Sequence, residues 1–188
     1  MVAAGGFRDG SGLAASLAWG ACGIAMGTRF MMTQESPVPS KTKEAYLSAE
    51  VEEIKITKKF DGLSHRLIFN NYIKKIDRSN PFSLFIMSVS SAWKYKQITK
   101  ASFGDLFKSF FAMLKGDDLT ISQSIMSANS PAIIQKAMVE GAPHEGAMPS
   151  GKVAGIITNL PSCKELIDQI MREFGIAADN FKKIEGES

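Results

Sequence analysis

The chain has 188 residues, of which 45% are hydrophobic and 22% charged, a composition typical of one globular domain. Its formal net charge is +3 and its basic residues are scattered, so we expect no basic face and no nucleic-acid partner. Cys22 and Cys163 lie far apart and do not suggest a disulfide framework, and Cys22 is predicted to be a small core residue. Two distant histidines and two distant cysteines predict no metal site.

The segment from Leu13 to Gly27 is apolar and rich in small residues, as the core of a signal peptide can be. Glycines interrupt it, it is too short to span a bilayer, and the charge of Arg8 before it is cancelled by Asp9. We therefore expect no targeting signal, no membrane partner and a cytoplasmic location.

The N-terminal residues predict a strand, a helix and a second strand. Val2–Ala4 and Ile24–Met26 are short apolar runs, and between them Gly10–Trp19 carries apolar residues at helical spacing. A strand, a helix and a strand at this spacing form a βαβ unit, which implies two neighbouring parallel strands.

Both predicted strands end in glycine. Gly5 and Gly6 follow the first strand, and Gly27 and Thr28 follow the second. Two glycine turns at the carboxyl ends of parallel strands would present backbone N–H groups that suit a phosphate. Gly10–Ala15 also matches the G-x-G-x-x-A pattern of dinucleotide folds, but it does not directly follow a strand and uses only one of the two turns.

After a proline-bounded linker, Ser40 is predicted to cap a helix running through Lys43 to Ala49. Glu53–Thr57 alternates polar and apolar residues and predicts a short strand with Ile54 and Ile56 on one face.

Arg66 and Asn70 stand four residues apart, so on a helix they would share one face. Two interpretations remain open for this region. The loop from Phe60 to His65 borders a ligand, or it is only a helix start at which Arg66 forms a structural ion pair.

The second half of the chain predicts helices. Pro81–Trp93 is apolar and serine-containing, and Ser102–Lys115 carries a phenylalanine-rich stripe expected to pack on something large. Ser130 with Pro131 predicts another helix start, and Gly141 its end.

The last predicted helix begins at a capping box formed by Ser162 and Glu165. It is expected to end near Phe174, with Gly175 as its C-cap, and residues 176–188 are predicted to be a polar tail.

Several segments closely resemble the nitronate monooxygenase family, formerly called 2-nitropropane dioxygenase, which includes FMN-dependent enoyl-acyl-carrier-protein reductases. The resemblance covers nearly all of the chain but corresponds to the C-terminal part of the family. The segments that carry it are Ala4–Gly12, Leu17–Ala21, Met26–Phe30, the pattern Thr57-x4-Gly62-x3-Arg66-x3-Asn70, Gly146–Gly155 and Leu160–Leu166. Glutamine often stands in the family where this chain has Lys152.

The resemblance implies an α/β fold: the last two strands of a (β/α)₈ TIM barrel, followed by a mainly helical segment. It divides the chain into the end of an FMN-binding barrel (residues 1–36), a helical post-barrel segment (37–175) and the polar tail (176–188). A complete barrel takes about 200 residues or more. The chain is therefore expected to be a C-terminal fragment, a truncated reading frame or one piece of an assembled barrel.

The resemblance also implies FMN as the cofactor. Its phosphate would be held by the two glycine turns and the residues beside them, namely Gly5, Gly6, Met26, Gly27 and Thr28. The implied reaction is oxidation of a small-molecule alkyl nitronate with O2 to a carbonyl compound and nitrite. The alternatives are an FMN-dependent enoyl-acyl-carrier-protein reductase and a non-catalytic truncated remnant.

The implied catalytic base lies upstream of the matched part, so no catalytic residue is assigned. His65 and His144 are both expected to be surface residues. Two short parallel strands leave unpaired edges, so we expect upstream strands or a second copy of the chain, in a homo-oligomer, to complete the sheet.

Overall fold

A computed structural model describes residues 1–80 and 121–186. Two compact units divide the described residues: one contains those of Met1–Val38, Tyr46–Val51 and Ser150–Ser188, and the other those of Pro39–Ala45 and Glu52–Pro149. The helices are α1 (Gly10–Ala18), α2 (Gly27–Met31), α3 (Ser40–Leu47), α4 (Asn71–Arg78), α5 (Ile121–Met138) and α6 (Cys163–Gly186). The strands are β1 (Ala3–Ala4), β2 (Ile24–Ala25), β3 (Ile54–Thr57) and β4 (His65–Ile68), and 3₁₀ helices occupy Val51–Glu53 and Lys152–Ile156.

The predicted βαβ unit is confirmed in the first unit. β1 pairs with β2 in parallel, with Ala3 opposite Ile24 and Ala4 opposite Ala25. The connecting helix α1 begins where the side chain of Asp9 accepts a hydrogen bond from the Gly12 N–H at 3.0 Å. This N-cap satisfies one of the backbone donors that a helix start leaves free.

α1 packs closely against α6. A Cβ at Gly10 would lie 2.2 Å from the Ile170 carbonyl oxygen and 2.4 Å from the Phe174 nitrogen, so only glycine fits at this crossing. The Gly10 N–H donates to Glu173 Oε2 at 2.8 Å, which ties the start of α1 to the middle of α6.

The capping box at the start of α6 is confirmed. The Ser162 N–H donates to Glu165 Oε2 at 2.8 Å, and the Glu165 N–H donates to Ser162 Oγ at 3.2 Å. The predicted end of this helix is wrong, because α6 continues through Gly175 to Gly186. A single interior glycine costs a helix about 1 kcal/mol, and the packing of α1 on α6 holds the preceding turns in place.

The second unit contains an antiparallel hairpin in which Ile54 faces Ile68 and Thr57 faces His65. The strand predicted at residues 53–57 is therefore present, but its two isoleucines differ: Ile54 is fully buried and Ile56 is 59% exposed. The prediction that Arg66 lies on a helix with Asn70 is wrong. Arg66 lies in β4 opposite Ile56, because pairing with β3 decides the local conformation.

Asn70 is the N-cap of α4. Its Oδ1 accepts from the Ile73 N–H at 2.9 Å, and its Nδ2 donates to the carbonyl oxygens of Pro143 and Gly146. The apolar cluster of this unit is formed by Phe60, Leu67, Phe69, Ile73, Ile76, Ile133 and Ala147.

α5 starts nine residues earlier than the predicted Ser130 start, at Ile121. Pro131 therefore lies inside the helix, where it has no N–H to donate to the carbonyl of Ser127. The Ser130 hydroxyl donates to that carbonyl at 3.0 Å instead. On this helix Ile133 and Ala137 are buried, at 8% and 0% exposed.

Smaller differences concern α3 and Cys22. α3 begins at Ser40 itself and ends at Leu47, two residues before the predicted Ala49. Cys22 is exposed and not a core residue, because it follows α1 in a loop next to Met1.

The helices predicted at Pro81–Trp93 and Ser102–Lys115 lie outside the described residues. Among the residues that are described, no helix is long and apolar enough to cross a membrane.

Candidate functional site

The loop after β1 has an open backbone. Gly5 and Gly6 have φ angles of +93° and +82°, values that favour glycine. A Cβ at either residue would have no other atom within 4 Å. Because β1 and β2 are parallel and paired, their carboxyl ends lie side by side at the edge where this loop begins.

The sequence predicted a turn after β2, but this segment is the start of α2. Met26 is its N-cap residue in an extended conformation, and Gly27 is the first helical residue. The Cβ position of Gly27 is also open. The helix forms because the Met32 N–H can donate to the Thr28 carbonyl at 3.1 Å, which closes the turn that follows Gly27.

Thr28 is connected to the glycine-rich segment near residue 150. Its Oγ1 accepts a hydrogen bond from the Gly151 N–H at 3.0 Å, and a Cβ at Gly151 would lie 3.2 Å from the same oxygen. A hydroxyl that accepts one bond still has its own hydrogen to donate. Sequence reasoning did not place Gly151 beside Thr28, because 123 positions separate them.

These residues fit a phosphate group on structural grounds. The edge combines two left-handed glycines, open space at three Cβ positions and one threonine hydroxyl. A phosphate that approaches backbone N–H groups needs this absence of side chains. The assignment of Gly5, Gly6, Met26, Gly27 and Thr28 to the cofactor stays a prediction.

A polar cavity of about 210 Å³ lies in the same unit, and none of the five predicted cofactor residues lines it. Arg29 is 5% exposed and donates from Nη1 to the Asn159 carbonyl at 3.2 Å and from Nη2 to Asn159 Oδ1 at 2.8 Å. Burial lowers the pKa of the Arg29 guanidinium, and the positive charge of Arg8 lowers this pKa further, while Glu173 opposes both. The cavity is lined by Arg8, Asp9, Arg29, Ile156, Ile157, Thr158, Asn159, Gln169 and Glu173.

The histidines lie in the second unit. His65 Nε2 is 2.8 Å from Asp61 Oδ2, and the side chains of His65 and Asp61 are 32% and 2% exposed. Sequence reasoning missed this pair, although its i, i+4 spacing was visible. The expectation that His144 is a surface residue is confirmed, since it is exposed.

Three further residues that the sequence singled out are Arg66, Lys152 and Cys163. Arg66 is exposed and makes no ion pair with any residue in the described ranges, so the ion pair predicted for it is absent there. The Nζ of Lys152 donates to the Val51 carbonyl at 2.6 Å. Cys163 donates its N–H to the Glu35 carboxylate at 2.9 Å. Residues 1–80 and 121–186 contain no group of three side chains able to hold a metal ion.

Comparison with known proteins supplies the family. The model of the nitronate monooxygenase family matches residues 1–173. A relative from Rhodococcus jostii, named (3aS,4S,5R,7aS)-5-hydroxy-7a-methyl-1-oxo-octahydro-1H-indene-4-carboxyl-CoA dehydrogenase, is 42% identical over 98% of this chain and 51% of its own length. The protein of the same name from Mycobacterium tuberculosis is 39% identical over 91% of this chain and 48% of its own length. The chain thus spans about half the length of the curated relatives it matches.

Proteins named probable nitronate monooxygenase from Staphylococcus aureus are 36% identical, over 42% of this chain and 22% of their own length. Among solved structures, FabK from Thermotoga maritima matches with a TM-score of 0.61 and 24% identity, covering 100% of this chain and 47% of FabK. A nitroalkane oxidase from Streptomyces ansochromogenes matches with a TM-score of 0.59 and 22% identity, covering 95% of this chain and 40% of that one. At these identities the two structures show a shared mixed α/β fold. The family match and the identities of the full-coverage relatives show that the chain belongs to the nitronate monooxygenase family.

Proposed function

We propose that this chain is the cofactor-binding C-terminal part of an FMN-dependent oxidoreductase that dehydrogenates the CoA thioester of a bicyclic carboxylic acid. One observation carries the choice of substrate class. The relatives that match almost the entire chain are named as dehydrogenases of such a thioester, whereas the relatives named for nitronates match less than half of it.

In this proposal β1 and β2 are the last two strands of a (β/α)₈ barrel, and the open edge at their carboxyl ends binds the FMN phosphate. Phosphate sites at this position are recurrent in such barrels. Gly5, Gly6 and Gly27 leave room for the phosphate beside the backbone, and Met26 brings the chain from β2 to that edge. Thr28 donates its hydroxyl hydrogen, since its oxygen already accepts from the Gly151 N–H.

When bound, FMN would accept the electron pair removed from the substrate. The role of this chain's residues is to bind and orient. The Gly151 N–H donates to the Thr28 hydroxyl oxygen, so the hydroxyl is held in one orientation before the phosphate arrives. Such preorganisation reduces the entropy that binding would otherwise cost.

The test uses the protein expressed from its complete reading frame, loaded with FMN and kept free of oxygen. Mixing with a bicyclic carboxyl-CoA thioester of the kind named above is expected to bleach the flavin absorbance within a single turnover. The free carboxylic acid without CoA is the matched control and is expected to react far more slowly. A flavin that stays oxidised with the thioester would contradict the proposed substrate class.

Nitronate oxidation is the second candidate, favoured by the family match and by the Staphylococcus relatives. It predicts oxygen consumption and nitrite release when an alkyl nitronate is added in air. Nitrite release without reaction of the thioester would select this candidate. The enoyl-acyl-carrier-protein reductase and the non-catalytic remnant stay predictions, because the likeness to FabK concerns the fold alone.

A further inference from the structure

We infer that the cavity beside Arg29 binds a small carboxylate, with the Arg29 guanidinium as its main ligand. The inference starts from a charged group in an unusual place. Arg29 is 5% exposed, and charged side chains are rarely buried to this degree unless they are paired.

Arg29 is only partly satisfied. Two of its five N–H groups donate to Asn159, one to the backbone carbonyl and one to the side-chain oxygen. Neither acceptor carries a full negative charge. Within residues 1–80 and 121–186, no carboxylate lies within ion-pair distance of its guanidinium and no other acceptor contacts it.

The two carboxylates that line the cavity already have partners. Asp9 accepts from the Gly12 N–H through Oδ1 and from Arg8 Nε through Oδ2. Glu173 accepts from the Gly10 N–H through Oε2 and from Gln169 Nε2 through Oε1. Both are held by the helix contacts that build this unit, so neither turns to Arg29 without breaking those bonds.

The cavity supplies the room that an anion needs. It measures about 210 Å³ and is bounded by Arg29, by Arg8 and by the segment from Ile156 to Asn159. Arg8 donates from Nη1 to the Ile156 carbonyl at 3.0 Å, which holds this second cation at the wall of the same cavity. A planar guanidinium fork matches two oxygens of a carboxylate or a phosphate, so the unused N–H groups of Arg29 select an oxyanion.

The lining also selects the charge of the ligand. Arg8 and Arg29 contribute two positive charges, and Asp9 and Glu173 two negative ones. For a dianion, attraction by the two arginines and repulsion by the two carboxylates both double. The cost of removing an anion from water rises with the square of its charge, however, so a monoanion enters the cavity at the lower cost. We therefore expect a carboxylate to bind more tightly than inorganic phosphate at pH 7.5. None of the five residues predicted to bind the flavin lines this cavity, so the test needs neither cofactor nor turnover.

The experiment is a titration of the protein expressed from its complete reading frame with sodium acetate, followed by calorimetry at constant ionic strength. Saturable binding is expected, with affinity about tenfold lower in Arg29→Lys, which keeps the charge but loses the fork, and in Arg8→Gln. Lys164→Gln removes the same charge at an 84% exposed side chain and should leave acetate binding unchanged. Circular dichroism of each variant verifies that it is folded.

Three results would overturn the inference. The first is no saturable acetate binding by the folded wild-type chain, which would indicate a cavity filled only by water. The second is equal affinity in wild type and in Arg8→Gln and Arg29→Lys. The third is tighter binding of phosphate than of acetate, which would contradict the assigned ligand class.

Discussion

Asn70 in the second unit and Arg29 in the first are both buried polar side chains, 9% and 5% exposed. Asn70 uses its oxygen and both amide hydrogens in bonds to Ile73, Pro143 and Gly146. Arg29 uses two of its five N–H groups and borders a cavity. A fully satisfied buried group fixes the local fold, whereas a partly satisfied charge beside free space indicates where a ligand completes the structure.

The largest effect is expected from Asn70→Ala. The change removes the N-cap of α4 and leaves two buried carbonyls without donors, which we expect to cost about 3 kcal/mol of unfolding free energy in urea. The neighbouring Asn71 is exposed, so Asn71→Ala should change stability by less than about 0.5 kcal/mol. Equal effects of the two substitutions would show that the hydrogen bonds of Asn70 do not hold this unit together.

The second largest effect is expected at the contact between α1 and α6, where the Gly10 N–H donates to Glu173. In Gly10→Ala the new methyl would meet the Ile170 carbonyl and the Phe174 nitrogen, so α1 and α6 must separate. A loss of about 2 kcal/mol in unfolding free energy is expected. Gly23→Ala adds the same methyl where a Cβ has no neighbour within 4 Å and should be nearly neutral. A neutral Gly10→Ala would contradict the close packing of these helices.

A smaller effect is expected in the loop after β1, where a side chain could block the ligand as well as strain the backbone. Gly6→Val should weaken FMN binding by the complete protein by about tenfold, measured by quenching of flavin fluorescence. Gly20 has a similar φ of +86° and an equally open Cβ position, but it lies after α1, away from the strand ends. Gly20→Val should therefore cause similar strain and leave FMN affinity unchanged. Equal FMN affinity in the two variants would reject the phosphate assignment.

The smallest effect is expected at an exposed polar group that is fully satisfied locally. The hydrogen bond from the Ser162 backbone holds the pKa of Glu165 below its ordinary value, and the bond from the Ser162 side chain adds to this. The ionised carboxylate therefore stabilises the folded state above the ordinary pKa of 4.5, and this contribution is lost as pH falls through the lower folded pKa.

Glu165→Gln should remove this small part of the acid destabilisation, because glutamine can still accept the bonds but does not titrate in this range. Urea unfolding at pH 7 and pH 3 measures the difference. An identical pH dependence in the wild type and the variant would mean that this carboxylate is equally ionised in the folded and unfolded chains.

The sequence predicted features that depend on neighbouring residues. The parallel βαβ unit and the capping box of Ser162 and Glu165 were both predicted from short spacings, and both are present. It misread Arg66, whose strand is fixed by pairing with β3, and the end of α6, where a glycine was taken as a stop. Ser130 and Pro131 were likewise taken as a helix start, since nothing local revealed that a hydroxyl replaces the missing proline donor.

By itself, then, the sequence determined that each of the two parallel strands is followed by glycine, and which family the chain resembles. Both depend on residue types at short spacing. Only the tertiary structure decided which distant groups meet there. Gly151 reaches Thr28 across 123 positions, and Asn159 reaches Arg29 across 130. Sequence periodicity does not reveal such contacts, because they depend on how helices and loops far apart in the chain pack together. They also depend on which buried charges are left incompletely paired.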